Sequence, residues 1–270
     1  MSASNPAEHQ PETLSGAQIV VRLLERQGIT VVAGIPGGAI LPFYDALSET
    51  DRIHHVLARH EQGAGFMAQG MARATGKPAV CLASSGPGAT NLLTAIADAK
   101  LDSIPIVAIT GQVPKAMIGT DAFQEVDTYG LTIPITKHNF LVSSAEELLE
   151  VIPRAFTLAV SGRPGPVLVD IPKDVQTQRI EVKEWPAPGL PEPAPAFEVA
   201  AIDQAVAMIE AAEQPILYLG GGVVHSGAAE LAVALAEKAS LPTVMTLMAL
   251  GAMPVDHPLS LGMLGMHGAR

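Results

Sequence analysis

Short apolar runs rich in Val and Ile alternate, over the first two-thirds of the chain, with longer segments in which apolar residues recur every three or four positions. The short runs are typical of buried strands and the longer segments of helices, so the alternation predicts βα units around a mostly parallel sheet. The predicted strands are TVVAGI (30–35), HHVLA (54–58), AVCLA (79–83), IPIVAIT (104–110) and PVLVDI (166–171).

The loops that follow several of these strands are rich in small and turn-forming residues, as in GIPGGA, SSGPGATN and TGQVP. Ligands of open α/β sheets bind outside the carboxyl ends of the strands, so we expect the three loops to line one rim. The small residues of SSGPGATN would let a ligand approach the backbone, and Thr90 or Asn91 is available to cap the next helix.

The stretch RHEQGAGFMAQGMARATG predicts a helix from Glu61 to Ala74, because its apolar residues follow the spacing of a helix face. Its internal glycines each cost about 1 kcal/mol relative to alanine, which indicates that something approaches the backbone closely. Glu61 opens the helix, where an acidic residue is favoured. Ordinary helix packing with a carboxylate in water therefore explains the stretch equally well.

A proline-rich segment, WPAPGLPEPAPAF, predicts an extended spacer. After it, two helical patterns and the strands PILYLGG and PTVMTL begin a second α/β unit, with too few elements for a complete doubly wound domain. We therefore predict an α/β fold. Its parts are a polar tail (1–12), a parallel-sheet domain (13–184), a linker (185–198) and an incomplete Rossmann-like domain (199–270).

Composition and charge exclude several classes of protein. The net charge is −11 and no basic run interrupts the chain, which argues against nucleic acid and anionic membranes as partners. The apolar stretches are too short to span a bilayer, and the first residues lack the features of a secretion signal, so we expect a cytoplasmic protein. Cys81, within the apolar run AVCLA, is interpreted as a buried structural thiol.

Several familiar motifs are missing from the sequence. There is no G-x-S-x-G, no Walker loop, no H-E-x-x-H and no pair of cysteines, so no metal-binding residues are predicted. GGGVVHSGAAE, from Gly220, places a glycine-rich turn between a strand and a helix, but His225 stands where the dinucleotide fingerprint needs a third glycine. A phosphate or cofactor contact and a tight connection without ligand both remain open for this turn.

Eight stretches in fixed order carry a resemblance to a known family: GIPGGAILPFYDAL, RHEQGAGFMAQGMAR, SSGPGATN, GTDAFQEVDTYG, ITKHNF, SGRPGPVLVDIPKDV, YLGGGV and LGMLGMHG. Together they closely resemble the large, catalytic subunit of acetohydroxyacid (acetolactate) synthase, of the biosynthetic, flavin-containing type. The resemblance runs from about residue 13 to the last residue.

The resemblance implies that the first domain binds the aminopyrimidine ring of thiamin diphosphate, with Glu61 pairing with a ring nitrogen and sharing a proton with it. The implied reaction is decarboxylation of pyruvate and carboligation to a second 2-oxo acid, pyruvate or 2-oxobutyrate, giving acetolactate or acetohydroxybutyrate in branched-chain amino-acid synthesis. The glycine-containing helix behind Glu61 would then pack closely at a subunit interface.

The same matching implies roles for further residues of the first domain. Gly38 lies near the reacting centre, and Gln124 reaches the substrate from the partner subunit. Phe123 and Lys173 line the substrate entrance, and Pro36 and Gly37 contact the cofactor.

The family also binds FAD, which is largely structural there. The positions that match its flavin-binding residues are Arg163, Gly220, Gly221, Gly222, Thr246, Leu247, Gly265, Met266 and His267. The implied assembly is a homodimer or higher homo-oligomer with its active site at the subunit interface, with a small regulatory subunit as a possible partner.

The sequence departs from the family pattern in one respect. The G-D-G and following N-N motifs that hold Mg²⁺ and the cofactor diphosphate occur nowhere in these 270 residues, so the Mg²⁺ ligands are not in this chain. We expect the amino-terminal half of a synthase, inactive by itself. The alternatives are another thiamin-dependent decarboxylase or oxidase, and a natural short chain that dimerises with or caps a full-length subunit without catalysis.

Overall fold

The computed structural model describes residues 11–268 and divides between Ala194 and Pro195 into two compact units. The division falls inside the proline-rich segment. Residues 1–10, most of the polar tail, lie outside the described residues, as do residues 269–270. Each unit has its own sheet and its own buried core.

The first unit alternates strands and helices, as the hydrophobic pattern predicts. Its strands are β1 (Glu12–Ser15), β2 (Val31–Gly34), β3 (His54–Leu57), β4 (Ala79–Ala83), β5 (Ile106–Gln112), β6 (His138–Leu141), β7 (Val167–Pro172) and β8 (Arg179–Val182). Its helices are α1 (Gly16–Arg26), α2 (Leu41–Leu47), α3 (Glu61–Thr75), α4 (Pro87–Asp102), α5 (Thr128–Thr132), α6 (Leu148–Val160) and α7 (Lys173–Thr177).

Six of these strands form a parallel sheet in the order β3-β2-β4-β5-β7-β6 within the described part of the chain. The central strands β4 and β5 are buried along their whole length, as expected for uninterrupted apolar runs covered on both faces. Helices α3 and α4 pack together against the sheet, and α1, α2 and α6 share a separate buried cluster with the side chains of alternate strand positions. The predicted α/β class is confirmed.

Local chemistry explains where several elements begin. Helix α1 starts with a capping box, in which the Ser15 hydroxyl accepts from the Gln18 amide while the Gln18 side chain accepts from the Ser15 amide. Strand β5 begins two residues later than the pattern predicts. The reason is that Ser103 ends α4 in a left-handed conformation and the Ile104 amide still bonds to the Ala99 carbonyl of that helix.

The sequence reading missed three strands of the first unit. Strand β6 is short and carries His138 and Asn139, so it lacks the apolar run of its neighbours. Strands β1 and β8 pair antiparallel, outside the main sheet, and both are largely polar. Pairing with a distant partner, rather than a local pattern, makes these segments strands.

Part of the proline-rich segment lies along the first unit rather than extending away from it. Trp185 packs against the core cluster, and the Arg26 guanidinium donates to the Pro186 carbonyl. The Glu192 amide donates to the Ser161 hydroxyl. The proline-rich segment therefore lacks regular structure, as expected of a spacer, but the prediction did not include its contacts with the first unit.

The second unit contains helices α8 (Val199–Ala211), α9 (Gly221–His225) and α10 (Ala229–Ala239) and strands β9 (Leu217–Leu219), β10 (Thr243–Met245) and β11 (Ser260–Met263). The three strands form a parallel sheet in the order β11-β10-β9. The expectation of only two strands was wrong, because β11 consists of Ser-Leu-Gly-Met and has no apolar run to mark it. No helix within residues 11–268 has both the length and the apolar character needed to cross a bilayer.

Candidate active site

The loops predicted to line one rim do share one edge of the first sheet. All six strands are parallel, so the loops after β2, β4, β5 and β7 leave from the same carboxyl edge. The strand order reverses between β2 and β4, because β3 lies on one side of β2 and β4 on the other. A crevice at such a switch point is the usual ligand site of an open α/β sheet.

The loop after β2 contains Pro36, Gly37 and Gly38 and is fixed by buried side chains from two other segments. The Ser84 hydroxyl accepts from the Ala39 amide at 3.3 Å, and Gln176 Nε2 donates to the Ala39 carbonyl at 2.8 Å. Gly37 lies directly against the Ser84 side chain, while a side chain at Gly38 would enter open space. The loop thus presents Gly38 toward the rim on a rigid support.

Glu61 lies at the switch point of the sheet. It is the first residue of α3, whose N-cap is His60 with its ring nitrogen accepting from the Gln62 amide. Helix α3 packs on β2 and β4, and a side chain built on Gly88 would lie 3.5 Å from Glu61 Oε1. The carboxylate therefore lies beside the first turn of α4, half-buried rather than free in water.

Asn91 holds this carboxylate. Its Nδ2 donates to Glu61 Oε2 at 2.9 Å, and no donor within residues 11–268 reaches Oε1. The prediction that Thr90 or Asn91 caps the helix was wrong, because α4 already begins at Pro87 with Gly86 as its N-cap. Asn91 lies one turn inside α4, on the side that faces α3, so its amide is available to Glu61. The sequence offered no direct signal for this pairing.

Helix α3 has one side packed on α4 and one side that is exposed. Gly65 is buried against Ala95 of α4, where a side chain would overlap, so this glycine does permit a close approach of two helices. Phe66 and Met67 are 40% and 43% exposed, on the outer side of the helix. Gly65 thus bears out the close approach expected from the sequence, whereas the exposed side of the helix has no packing partner among the described residues.

Tyr44 and His55 lie close to the same region. Tyr44 Oη and His55 Nε2 are 3.3 Å apart, and the two rings meet edge to face. Burial, and after it the negative charge of Glu61, raises the pKa of the Tyr44 phenol. Tyr44 therefore stays a neutral hydroxyl within electrostatic reach of Glu61.

Gln124 belongs to the loop between β5 and α5, and it lies against the loop that follows β4. It adopts a left-handed conformation with φ of 59°. Gly86, itself at φ of 57°, touches its backbone, since a side chain on Gly86 would come within 2.7 Å of the Gln124 carbonyl oxygen. Gln124 and Glu61 therefore border one rim of the same chain, and any subunit that presents one of them presents the other.

Phe123 and Lys173 lie on the same edge. Phe123 precedes Gln124 and is 88% exposed, which is unusual for a large apolar ring and is consistent with a surface that contacts a ligand or another chain. Lys173 follows β7 directly, next to the end of β5 in the register of the sheet.

A buried carboxylate, Asp170 on β7, was not singled out from the sequence. It is 1% exposed, and it accepts from Thr110 Oγ1 at 2.7 Å and from Gln112 Nε2 at 2.9 Å. Burial, opposed by these two hydrogen bonds and assisted by the charge of Asp127, raises its pKa to about 7. The sequence feature that could have identified this carboxylate is a single acidic residue within the apolar run PVLVDI.

The second unit also gathers predicted site residues at the carboxyl edge of its sheet. Gly220 follows β9, Thr246 follows β10 and Gly265 follows β11 at a distance of two residues. The Thr246 amide bonds to the Leu219 carbonyl at 3.0 Å, which joins two of these loops. Four more candidates lie at the same edge: Gly221, the first residue of α9, packs on Met248, while Gly222, Leu247 and Met266, the last 91% exposed, border open space.

His267 is exposed and lies in the loop after β11. Arg163 belongs to the first unit, where its Nε donates to Ser103 Oγ at 2.7 Å and its Nη2 to the Leu101 carbonyl at 3.0 Å. The guanidinium thus stabilises the C-terminus of α4, where a cation is favoured. A flavin contact would require it to leave these partners or to share them.

Cys81 is fully buried on β4, and burial raises the pKa of its thiol to about 12, so the prediction of a structural thiol is confirmed. Within residues 11–268, no group of three or more His, Cys, Asp or Glu side chains is arranged to hold a metal ion.

Both units match models of known protein families. A model described as "Thiamine pyrophosphate enzyme, N-terminal TPP binding domain" matches residues 14–131, and one described as "Thiamine pyrophosphate enzyme, central domain" matches residues 202–270. Thiamine pyrophosphate is another name for thiamin diphosphate. The chain therefore belongs to the thiamine pyrophosphate enzyme family.

Within that family the chain is similar to large subunits of acetolactate synthase. It is 64% identical over 268 residues to acetolactate synthase isozyme 1 large subunit of Escherichia coli, covering 99% of this chain and 47% of the relative. It is 54% identical to the isozyme 2 large subunit of the same organism (95% and 46%) and 52% identical to acetolactate synthase large subunit of Corynebacterium glutamicum (98% and 43%). The chain spans somewhat less than half the length of these relatives and matches their amino-terminal half.

Proposed function

We propose that the complete protein containing this chain is an acetolactate synthase large subunit. In this proposal it decarboxylates pyruvate and joins the two-carbon fragment to a second 2-oxo acid, pyruvate or 2-oxobutyrate. The observation that carries the proposal is the half-buried Glu61 carboxylate, held by Asn91 at the switch point of the sheet. Similarity to acetolactate synthases over almost the whole chain supports it.

The residues at this edge fit the aminopyrimidine end of thiamin diphosphate. Asn91 occupies Glu61 Oε2, and Oε1 is left without a donor in the described residues, so it can accept a proton or hydrogen bond from a ring nitrogen. Gly38 leaves open space above the rim, where a ring can approach the backbone. Thiamin diphosphate, when bound, supplies the carbanion chemistry, and the protein supplies placement and proton transfer.

Each of the other rim residues has a role in this proposal. Glu61 holds or releases a proton at Oε1, and Asn91 fixes the direction of that oxygen. Gln124 offers an amide to the substrate, and Phe123 with Lys173 borders its entrance. Lys173 adds a positive charge that favours an anionic 2-oxo acid.

The proposal assigns a flavin to the carboxyl edge of the second unit. The open backbone at Gly220 and Gly222 fits a close approach by a phosphate or ring, and the exposed Leu247 and Met266 fit apolar contact with a flat ligand. Thr246 and Gly221 would border the same ligand, with Gly265 and His267 beside Met266. We propose that Mg²⁺ and the cofactor diphosphate are held by residues outside this chain.

We further propose that the protein assembles as a homodimer or a larger homo-oligomer in the cytoplasm, with a small regulatory subunit as a further partner. The outer side of α3 supports this, since Phe66 and Met67 are exposed there beside glycines that leave the helix flat. Changing Phe66 to Glu should weaken the dimer in analytical ultracentrifugation. An unchanged dissociation constant would place the interface elsewhere.

The central test replaces Glu61 by Gln in the complete protein, which preserves shape and removes the titratable group. Acetolactate formation should fall on the order of a hundredfold or more, the range of a positioned acid-base group. The matched control is Asp51→Asn, an exposed carboxylate before β3 at the opposite edge of the sheet. Near-normal turnover of Glu61→Gln would mean that Glu61 is an acidic residue at a helix N-terminus with no catalytic role.

A non-catalytic role, in which a short chain caps a full-length subunit, is not favoured by the similarity to catalytic subunits. It predicts association that does not depend on thiamin diphosphate. Thermal unfolding of the complete protein with and without thiamin diphosphate and Mg²⁺ separates the two proposals, because ligand binding to the folded state raises Tm.

A further inference from the structure

The segment that carries Gln124 is held in an unusual conformation. We define the Gln124 loop as residues 121–127, between β5 and α5. The Glu125 amide bonds to the Ala122 carbonyl at 2.9 Å, closing a turn in which Gln124 has a left-handed conformation. Such a conformation costs a non-glycine residue roughly 1–2 kcal/mol, so the surrounding contacts must maintain it.

One of those contacts comes from the sheet. Gln112, the last residue of β5, is buried, and its Nε2 donates to the Val126 carbonyl at 3.0 Å, two residues after Gln124. The same carbonyl accepts from the Thr128 amide at 2.8 Å. Gln112 is therefore a direct link from the core sheet to the Gln124 loop.

The direction of the Gln112 amide is fully determined by its neighbours. Its Oε1 accepts from the Val113 amide at 2.9 Å, while its Nε2 donates to both the Val126 carbonyl and Asp170 Oδ2. Asp170 Oδ2 accepts from Gln112 Nε2, so Asp170 favours the orientation in which the amide nitrogen faces the loop. Asp170 is 1% exposed, so solvent does not compete for this hydrogen bond in the folded chain.

We propose that Asp170 is a positioning residue that acts through Gln112 to hold the Gln124 loop, and with it the Gln124 amide, against the rim. Its consequence for turnover rests on the proposed function. Its consequence for the loop does not, because the hydrogen bonds that Gln112 donates to Asp170 and to Val126 both lie within this chain.

Thr110 offers a matched control for this proposal. It lies two residues before Gln112 on β5 and donates to the other oxygen of the same carboxylate, but it has no bond to the loop. Thr110→Val and Gln112→Met therefore each remove one hydrogen bond from Asp170. Only Gln112→Met also removes the bond to Val126.

The first measurement is amide hydrogen exchange at Glu125 and Thr128 in the complete protein, with the Ile109 amide of β5 as the reference for global stability. Gln112→Met should raise exchange at the two loop amides by about tenfold or more relative to that reference, whereas Thr110→Val should leave them within about twofold. Asp170→Leu, which removes both acceptor oxygens, should resemble Gln112→Met. Equal loop exchange in Gln112→Met and Thr110→Val overturns the proposal.

The second measurement is steady-state kinetics of the same variants. Gln112→Met should lower kcat/KM for pyruvate by about tenfold or more through misplacement of the loop, while the concentration of thiamin diphosphate giving half-maximal activity stays within about twofold, because Glu61 is untouched. A general loss of structure would change both quantities. If the unmodified protein makes no acetolactate, the proposed function fails, and the exchange measurement still decides the role of Asp170.

Discussion

The two units place their candidate sites by the same rule but support them very differently. Both gather loops at the carboxyl edge of a parallel sheet. In the first unit, buried side chains such as Ser84, Gln112 and Gln176 tie those loops to the sheet. In the second, the Thr246 amide bonds to the Leu219 carbonyl, and the side chains of Leu247 and Met266 are exposed.

The cores beneath these edges differ in the same direction. The first unit contains strands buried over their full length and large buried side chains such as Phe156. Helix α8 of the second unit has no buried residue among those described. The comparison teaches that topology selects where a site forms, while the buried polar side chains behind it determine how firmly its residues are oriented.

The largest expected difference between the units comes from core truncation. Phe156→Ala in α6 should lower the free energy of unfolding by about 3–5 kcal/mol, because it removes a fully buried ring and leaves a cavity. Met208→Ala in α8, where the side chain is 74% exposed, should change it by less than about 0.5 kcal/mol. Urea unfolding measures both, and similar losses would contradict the difference in packing.

The second prediction concerns pH and Asp170. Its pKa in the folded chain is about 7, above the ordinary value of 3.8, so the folded state holds this proton more tightly than the unfolded state. The stabilising contribution is therefore complete below about pH 4 and is lost as the pH rises to about 7. Relative to Asp170→Asn, the unmodified protein should lose roughly 4 kcal/mol of stability between pH 4 and pH 8.

Unfolding free energies of both proteins across that range provide the test. Thr110→Val keeps the carboxylate but removes a hydrogen bond that lowers its pKa, so the slope should persist and extend to higher pH. A constant difference between the unmodified protein and Asp170→Asn would mean that the carboxylate does not titrate in this window.

The third prediction separates backbone strain from contact at the rim. Gly86→Ala should cost roughly 2 kcal/mol or more, since the new methyl group meets the Gln124 backbone at a residue with positive φ. Gly28→Ala also has positive φ but no heavy atom near the added group, so it should cost only about 1 kcal/mol. Equal losses in chemical denaturation would mean that the Gln124 backbone moves away from the new methyl group at no cost in free energy.

The smallest expected effects concern helix ends. Ser15→Ala should cost about 1 kcal/mol, because it removes one half of the capping box of α1. Helix α8 begins at Val199 after Glu198, whose side chain makes no capping bond. Glu198→Ser should therefore stabilise the second unit by about 0.5 kcal/mol. A thermal scan that resolves the two units checks both, and a loss of stability in Glu198→Ser would contradict the second.

Sequence reasoning located the sheet of the first unit because its central strands are continuous apolar runs that depend little on their neighbours. The candidate rim followed from the Gly- and Pro-rich loops after those strands and from the family resemblance. The same reasoning failed for β6 and β11, which become strands by pairing with β7 and β10 rather than through their own pattern. It also assigned Asn91 to a helix cap, because capping is judged locally whereas its actual partner lies 30 positions away.

By itself, the sequence determined the α/β class, the order of the main elements, the placement of Glu61 at a helix start and membership in the thiamine pyrophosphate enzyme family. These properties depend on local periodicity and on motifs within single segments. Only the tertiary structure decided that Asn91 holds Glu61, that Gly86 touches Gln124 and that Asp170 reaches the Gln124 loop through Gln112. Each of these contacts joins residues far apart in sequence, and only the parallel packing of the strands brings them within hydrogen-bond or van der Waals distance.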